Sequence, residues 1–276
     1  MPATALLLAL GAAFLHAAWN LMLAGERDPE AATAIAMCAS VITFGPVAAL
    51  TWDVEPAVWP FVAVTSLLQL VYFALLARAY RRTELSFVYP IARGGAPVVV
   101  LVVSVVVLGA TVGAAQAAGV CLVGLGVVLV RGLSGRRDAA GLALGLVIAS
   151  VIASYTLVDK SGIRHADPVA YLELGMAPAS TAFLLALWAR PGGSARLVAA
   201  LRPRPVAAGL VSFAAYVLVL AALTRAAAAP VAAVRETSVL IAAALAAPLL
   251  GERVGAGRLV GAGVVVGGVA LVTLGA

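Results

Sequence analysis

The sequence predicts an all-α integral membrane protein in which ten transmembrane helices form two inverted five-helix repeats. Composition predicts the class: 64% of the 276 residues are apolar and 11% are charged, whereas about 25% are charged in a typical soluble domain. The mean hydropathy is +1.11, and apolar runs of about 18 residues or more recur along the chain, as transmembrane helices require. An internal repeat predicts how the helices are arranged.

The ten predicted spans are separated by short loops rich in glycine, proline and charged residues. The first span is interpreted as a retained helix rather than a signal peptide, because no basic segment precedes it and it contains His16, Trp19 and Asn20. No hydrophilic segment is long enough to fold alone, so essentially the whole protein is expected in the membrane as internally bonded helices. The predicted spans are 4–24, 31–51, 58–78, 85–108, 113–131, 139–158, 168–189, 205–225, 230–250 and 255–275.

The internal repeat is clearest in the fourth and fifth spans of each half. Because each half holds five spans, an odd number, the second half must enter the membrane from the opposite side, which inverts one copy relative to the other. The chain therefore divides into a first repeat, residues 1–135, and a second repeat, residues 136–276. Four pairs of residues align at an offset of 142 positions: Gly109 with Gly251, Gly119 with Gly261, Gly126 with Gly268, and Arg93 with Arg235.

The last span carries glycines at a spacing that favours close helix packing. Gly257 and Gly261 are four residues apart, as are Gly263 and Gly267, and small residues at this spacing let two helix backbones approach closely. The pattern predicts tight packing, either within the bundle or across a homodimer, with a direct substrate role as the less favoured alternative.

Charge and cysteine content exclude several classes of partner. A net charge of +6 would suggest nucleic acid for a soluble protein, but in a membrane protein loop arginines orient the helices, so no nucleic-acid partner is expected. Cys38 and Cys121 lie in apolar stretches without a metal-binding spacing, and no cofactor or metal is expected. The HExxH and GxSxG motifs are absent from the sequence, which argues against an enzyme. The expected partners are membrane lipid and a small-molecule substrate.

The basic residues favour one side of the membrane. Of the 18 Lys and Arg residues, three lie on the sparse side, namely Lys160, Arg164 and Arg225. Taken alone, the positive-inside rule then places both chain termini outside the cytoplasm. The twelve on the basic side are Arg27, Arg78, Arg81, Arg82, Arg131, Arg136, Arg137, Arg190, Arg196, Arg202, Arg204 and Arg253.

The fourth span carries a polar stripe around a charged residue. Ser86, Tyr89, Arg93 and Pro97 are spaced by three and four residues, so they share one face of a helix. The prolines and glycines of the segment 90–97 interrupt the helix, which membrane proteins tolerate where the backbone lines a wet cavity. A guanidinium near the middle of a bilayer costs at least about 2.5 kcal/mol. The stripe therefore predicts a polar cavity, with a kink needed only for packing as the alternative.

The ninth span carries the equivalent arginine beside a carboxylate. Arg235 and Glu236 are adjacent, so on one helix their side chains would point about 100° apart and would not face each other. We expect Glu236 to reach Arg93 across the pseudo-twofold axis and to leave Arg235 unpaired. The cavity would then be net positive and would prefer a carboxylate, phosphate or phosphonate. Glu236 could equally carry a proton or form a static salt bridge.

The first and sixth spans supply further polar candidates. Trp19-Asn20 and Tyr155-Thr156 both read as an aromatic residue followed by a polar group, and His16 and Asp159 lie nearby. His16 is either a proton relay or a hydrogen-bond partner of a neighbouring helix. Gln69 either lines the cavity or bonds a neighbour. The predicted substrate-binding residues are Arg93, Arg235, Glu236, Tyr89, Ser238, Trp19, Asn20 and Tyr155, and the predicted proton-coupling residues are Glu236, His16 and Asp159.

These features together resemble the EamA type of the drug/metabolite transporter superfamily over nearly the whole chain. The segments HAAWN (16–20), YPIARGGAP (89–97), YTLVD (155–159) and RETS (235–238) resemble one bacterial branch, and the Gly-Glu-Arg turn before the glycine-rich last span also fits. The resemblance implies alternating access to a central cavity and export or exchange of small metabolites without ATP, in a bacterial inner membrane. Ala110 departs from the family pattern, in which a glutamate often matches Glu252, and family members usually place both termini in the cytoplasm.

The leading hypothesis is therefore a secondary transporter for a small anionic or zwitterionic metabolite. An accessory or sensor protein without flux is the first alternative, and a membrane-embedded enzyme is the second. Substrate turnover in detergent separates the enzyme from the other two, and flux in proteoliposomes separates the carrier from the sensor.

Overall fold

The computed structural model describes residues 1–23, 26–82, 85–131, 139–250 and 256–274. The turn at 251–255, with its Gly-Glu-Arg motif, and the side chains of Tyr89 and Ser86 lie outside this description. The described part is all-helical: its one pairing of extended residues is an isolated bridge between Val54 and Ala166, and Pro56–Val58 forms one 3₁₀ turn. The helices are α1 (Ala3–Leu23), α2 (Pro29–Leu50), α3 (Trp59–Arg82), α4 (Leu85–Val106), α5 (Ala114–Arg131), α6 (Ala139–Gly162), α7 (Pro168–Trp188), α8 (Gly193–Ala200), α9 (Pro203–Leu223), α10 (Ala228–Arg235), α11 (Ser238–Leu250) and α12 (Ala256–Leu274).

Aspartate–proline pairs begin the second helix of each repeat. Asp28 accepts a hydrogen bond from the backbone N–H of Ala31 at 3.1 Å and starts α2. Asp167 accepts one from the N–H of Val169 at 2.8 Å and starts α7. Each aspartate side chain accepts a hydrogen bond from a backbone N–H in the first turn of its helix, where that N–H has no carbonyl partner. The proline that follows has no N–H and therefore needs no such partner. The two starts are equivalent in the two repeats.

A helix lies in each predicted span, but the prediction of one continuous helix over 230–250 is wrong. The chain forms α10 and α11 instead, separated at Glu236 and Thr237. At this break the backbone N–H groups of Glu236 and Thr237 bond three residues back, to Ala233 and Val234, at 3.1 and 3.0 Å. The Thr237 hydroxyl also donates to the Val234 carbonyl at 2.8 Å, and such side-chain bonds compete with the helical ladder. The short helix α8 was not predicted.

In the part of the chain that the structure describes, six helices are long and apolar enough to cross a membrane by themselves: α1, α2, the 3₁₀ turn with α3, α6, α7 and α9. Shorter apolar helical segments span Pro90–Val106, Ala114–Val130 and Leu259–Leu274. The protein is therefore a multi-pass helical membrane protein, and the number of ten crossings stays a prediction.

Glycine contacts between α5 and α12 reveal the twofold relation of the repeats. A Cβ on Gly119 would lie 2.6 Å from the carbonyl oxygen of Gly268, and a Cβ on Gly126 would lie 2.9 Å from that of Gly261. Gly119 aligns with Gly261 and Gly126 with Gly268, so exchanging the repeats turns the first contact into the second. Residue numbers rise along α5 as they fall along α12, so these equivalent helices are antiparallel. The repeats are inverted, and the axis passes between the two helices.

The glycine stripe of α12 has two faces. Gly261 and Gly268 pack against α5 within the chain, and both would clash with its backbone if they carried a side chain. Gly257, Gly263 and Gly267 have nothing within 4 Å of a built Cβ. Tight packing within the bundle is therefore found for the inner face, while a homodimer through the outer face stays a prediction.

The same twofold exchange relates the other helix pairs. Helix α1 packs along α9, and the equivalent α6 packs along α3; α4 packs on α6, and the equivalent α10 and α11 pack on α1. Much of the packing therefore joins the two repeats, while α4 also packs on α5 within the first repeat. Helices α1, α3, α4, α6, α9 and α10 meet around the centre of the molecule, and the predicted polar side chains project from them.

Candidate functional site

The two equivalent arginines meet around one carboxylate. Arg93 Nη1 lies 3.5 Å from Glu236 Oε1, and Arg235 Nε lies 3.7 Å from the same oxygen. The exposed fractions are 5% for Arg93, 3% for Arg235 and 0% for Glu236. We call these three residues the central cluster. The expectation that Glu236 reaches Arg93 from the other repeat is confirmed by this geometry.

The break in the ninth span explains why Arg235 and Glu236 also lie close together. On a continuous helix these neighbours would diverge, but Arg235 is the last residue of α10 and Glu236 caps it with φ −71° and ψ −8°. The tighter turn brings both side chains to the same side. The prediction that they do not face each other is therefore wrong, because it assumed an unbroken helix.

Several polar atoms of the central cluster have no hydrogen-bond partner among the described residues. They are Nε and Nη2 of Arg235 and Oε2 of Glu236, and all three are buried. Leaving a buried polar group unsatisfied costs about 1–3 kcal/mol, and more when the group is charged. The formal charges of two guanidinium groups and one carboxylate sum to a single excess positive charge. The two Arg235 nitrogens are donors suited to an anionic group.

His16 contacts Arg93 through the terminal nitrogen that does not face Glu236. Its Nε2 atom contacts Arg93 Nη2, while Trp19 Nε1 donates to His16 Nδ1 at 3.1 Å and Asn20 Nδ2 donates to the His16 carbonyl at 2.7 Å. Because guanidinium and indole groups are donors only, His16 faces donors on both ring nitrogens. In this geometry Trp19 and Asn20 contact His16 rather than the central cluster.

Asp159 lies at a second polar site formed by four helices. Its Oδ1 atom accepts hydrogen bonds from Thr65 Oγ1 on α3 at 2.7 Å and from Tyr171 OH on α7 at 2.9 Å. Its Oδ2 atom accepts one from Tyr216 OH on α9 at 2.5 Å. The Asp159 side chain on α6 is 1% exposed. We call these four residues the Asp159 site.

The sequence did not single out Thr65, Tyr171 or Tyr216. A signal was available, because a carboxylate inside a membrane helix needs donors from its neighbours, and hydroxyl side chains can supply them without adding charge. The sequence alone does not say which helices face Asp159, however, so it could not choose these three among the other tyrosines and threonines.

Tyr155 lies between the two polar sites. Its ring centroid is 6.1 Å from that of Tyr72 on α3 and 6.1 Å from that of Tyr216 on α9, and the side chain is 6% exposed. It is close enough to Arg235, Arg93, Asp159 and Glu236 for their charges to act on it. Ser238 is buried at the start of α11, two residues beyond Glu236. The predicted side-chain role of Tyr89 lies outside the described residues.

The space beside Arg93 is nearly closed. A cavity of about 10 Å³ borders Arg93 between Tyr72 on α3 and Ile152 on α6, which is room for about one water molecule. The predicted polar cavity is therefore this small at Arg93. The side chains of the central cluster are buried.

Loop contacts join the two repeats at both ends of the molecule. At one end, Arg196 Nε lies 2.6 Å from Asp28 Oδ2, and Arg202 Nη2 lies 3.2 Å from Glu26 Oε2. At the other end, the backbone N–H of Asp167 donates to the Asp53 carbonyl at 2.9 Å. At each end, the loop after the first helix of one repeat contacts the loop after the second helix of the other repeat. The two sets of contacts are equivalent under the twofold exchange.

Inverted helical repeats enclosing a buried charged cluster define a multi-pass membrane protein with a central polar site. The model of the EamA-like transporter family matches residues 3–132 and 139–274, so the chain belongs to this family. No curated protein matches the chain. One solved structure, titled "Crystal structure of protein", has 16% sequence identity, a TM-score of 0.75 and coverage of 99% of this chain and 98% of that chain. This likeness shows the fold alone.

Proposed function

We propose that the protein is a secondary transporter that moves a small anionic or zwitterionic metabolite by alternating access, as an exporter or exchanger. Membership of a transporter family supports the general class. The observation that carries the substrate class is Arg235, which is 3% exposed and has two nitrogen atoms without a hydrogen-bond partner among the described residues. A carboxylate, phosphate or phosphonate could accept both bonds in parallel.

The symmetry of the loop contacts supports alternating access. In inverted-repeat carriers, each repeat can adopt the conformation of the other, which moves the opening from one side to the other around a fixed site. Here the side chains of the site are buried between the repeats, and equivalent loop contacts join the repeats at both ends. We interpret this conformation as occluded, between an inward-open and an outward-open state.

Anion binding and proton uptake are linked in this proposal through Glu236. The carboxylate and an incoming anion compete for the same guanidinium groups, so protonating Glu236 would free Arg93 and Arg235 for the anion. Oε2 of Glu236 has no hydrogen-bond partner among the described residues and is a position for that proton. His16 and Asp159 remain further candidates for proton coupling. A bacterial inner membrane location is likewise proposed from the family resemblance.

The test is binding followed by flux with purified protein. A panel of acetate, succinate, inorganic phosphate, methylphosphonate and methanesulfonate is screened by thermal shift, because a ligand that binds the native state raises its apparent stability. The hits are then used in proteoliposome uptake assays with the variants Arg93→Gln and Arg235→Gln. Each variant should lose at least about tenfold in affinity or rate, as expected for the loss of a charged hydrogen bond.

The control is Arg225→Gln, because Arg225 is exposed and bonds its own helix end through Ala221 and Thr224. It should transport normally. Normal binding and flux in folded Arg93→Gln and Arg235→Gln would overturn the proposed site. Binding without flux in wild-type protein would favour a sensor, and chemical turnover of a hit in detergent would favour an enzyme.

A further inference from the structure

Arginines surround a surface pocket at the end of the molecule where α1 stops and α9 starts. The pocket has a volume of about 340 Å³, and the described residues that line it are Glu26, Arg27, Arg202, Pro203 and Arg204. Ligand pockets usually have volumes of about 300–1,000 Å³, so this one has room for a small polar group. Three positive charges and one negative charge line it, which leaves an excess of two positive charges. We call it the arginine pocket.

Glu26 balances only part of the charge of the arginine pocket. Arg202 Nη2 lies 3.2 Å from Glu26 Oε2, and Arg204 Nε lies 4.0 Å from Glu26 Oε1, so two guanidinium groups share one carboxylate. Arg204 Nη2 also donates to the Leu21 carbonyl at 3.0 Å, which holds its guanidinium at the end of α1. Arg27 is exposed, and its side chain has no hydrogen bond or ion pair among the described residues. The pocket therefore offers guanidinium donors to an anionic group.

The lengths of the two helices place the arginine pocket at the surface of the bilayer. Helices α1 and α9 are both long and apolar enough to cross a membrane. Each has 21 residues, which gives a length of about 31 Å, and the hydrocarbon core of a bilayer is about 30 Å thick. The residues just after Leu23 and just before Pro203 therefore lie at the depth of the headgroups, where the lipid phosphates are.

The short helix α8, which leads into the pocket, supports this placement. Its eight residues span about 12 Å, which is too short to cross a bilayer. Gly193, Leu197 and Ala200 are buried, and the last two pack on side chains of α2 and α7. Val198, by contrast, is 73% exposed, and Leu201 just after the helix is 65% exposed. Exposed apolar side chains beside basic residues are typical of a segment that lies in the membrane interface.

We propose that the arginine pocket binds the headgroup phosphate of an anionic phospholipid from the surrounding leaflet. Arg27, Arg202 and Arg204 donate to the phosphate oxygens, because a guanidinium group can bind phosphate through two parallel hydrogen bonds. The excess positive charge favours an anionic lipid such as phosphatidylglycerol over phosphatidylcholine, whose phosphate is balanced by its own ammonium group. Loops and helix ends form this pocket, so the inference does not depend on the central cluster.

The experiment measures the binding of two lipids to the purified protein by native mass spectrometry. Dioleoyl phosphatidylglycerol and dioleoyl phosphatidylcholine are added at equal mole fraction to the same detergent micelles, so that the headgroup is the difference between them. Each basic residue near a membrane surface strengthens the binding of anionic lipid about fivefold. Wild-type protein should therefore bind phosphatidylglycerol at least about tenfold more tightly than phosphatidylcholine, and this preference should weaken as the salt concentration rises.

Two matched variants assign the preference to the pocket. Arg27→Gln removes one pocket charge without breaking an ion pair among the described residues, so it should unfold at the same temperature as wild-type protein. Its preference for phosphatidylglycerol should fall about fivefold. The control is Arg164→Gln, because Arg164 is also exposed and its side chain also has no hydrogen bond or ion pair among the described residues. Arg164 lies at the opposite end of the molecule, so this variant should keep the wild-type preference.

Three results would overturn the inference. The first is equal binding of the two lipids by wild-type protein. The second is an equal loss of preference in Arg27→Gln and Arg164→Gln, or no loss in either, because the pocket would then not be what selects the lipid. The third is displacement of phosphatidylglycerol by glycerol 3-phosphate at the same concentration, which would assign the pocket to a water-soluble phosphate instead.

Discussion

Arg93 and Arg235 share a single carboxylate oxygen, Glu236 Oε1, at 3.5 and 3.7 Å. Each arginine comes from the equivalent position of one repeat, but only the second repeat supplies an acid, because Gly94 stands where Glu236 would have its counterpart. The two repeats therefore have the same fold but carry different charges at the centre of the molecule. That asymmetry leaves one guanidinium in excess, and the properties of the site depend on it.

Removing the acid should destabilise the protein more than removing the second arginine. In Glu236→Gln two buried guanidinium groups lose their only carboxylate in the central cluster, and breaking a buried pair costs about 3–5 kcal/mol. In Arg235→Gln the neutral pair of Arg93 and Glu236 remains. Thermal unfolding in detergent should therefore give a lower transition temperature for Glu236→Gln than for Arg235→Gln.

Anion binding should restore much of the stability of Glu236→Gln. Methanesulfonate can replace the missing negative charge, so its stabilising effect should be larger in this variant than in wild-type protein. An equal or smaller effect in Glu236→Gln would show that the carboxylate does not compete with anions for the arginines.

The affinity for anions should be higher in Glu236→Gln than in wild-type protein, because the variant removes the carboxylate that competes for the guanidinium groups. Methanesulfonate is a suitable probe, since its own charge does not change across the neutral range. Calorimetric titrations of wild-type protein and Glu236→Gln measure the two affinities. A lower affinity in Glu236→Gln would contradict the competition.

The glycines between α5 and α12 should tolerate no side chain, whereas those on the outer face should. A Cβ on Gly268 would lie 2.7 Å from the Gly119 carbonyl oxygen and 2.8 Å from the Val123 backbone nitrogen, and backbone atoms cannot move aside as side chains do. Gly268→Ala should destabilise the protein by about 1–3 kcal/mol, the usual effect of overpacking. Thermal or denaturant unfolding measures this loss.

Gly263→Ala is the matched control on the same helix, since a Cβ there meets nothing within 4 Å. It should leave the stability of the monomer unchanged or slightly raised, because alanine favours helix more than glycine. Equal destabilisation by both substitutions would contradict the packing seen here. A smaller oligomer for Gly263→Ala in size-exclusion chromatography would instead support a homodimer through the outer face.

Arg196 should stabilise the loop contacts at the arginine-rich end, and the size of its contribution to stability should depend on pH. It donates to Asp28 at 2.6 and 3.0 Å and to Glu30 at 2.9 Å, and its hydrogen bonds lower the pKa of Asp28 below the ordinary value. A lowered folded-state pKa means that Asp28 contributes stability above its unfolded value of about 3.9 and loses it as the pH falls through the folded value. The stability difference between wild-type protein and Arg196→Gln should therefore shrink in acid.

Unfolding measured in detergent from neutral to acidic pH checks this dependence, and high salt should weaken it because the pair is partly exposed. Arg225→Gln again serves as the control, since Arg225 bonds only its own helix end among the described residues. A constant difference between wild-type protein and Arg196→Gln at all pH values would show that Asp28 does not depend on Arg196.

The sequence by itself determined the class and the symmetry of this protein. Apolar runs predict membrane helices because the bilayer imposes a minimum length on them, and the alignment of Arg93 with Arg235 predicts the repeat. The pairing of Arg93 with Glu236 also followed from sequence, because the repeat places the two segments across one axis and a buried charge needs a partner.

Only the tertiary structure decided what surrounds each polar group. The rotation and depth of neighbouring helices bring Thr65, Tyr171 and Tyr216 to Asp159, and no periodicity within one helix specifies which face of another it will meet. The break after Arg235 likewise lies among buried residues at the packed centre, and no proline or glycine at positions 236 and 237 marks it in the sequence. Local pattern specifies the helices, whereas contacts between residues far apart in the chain specify the site.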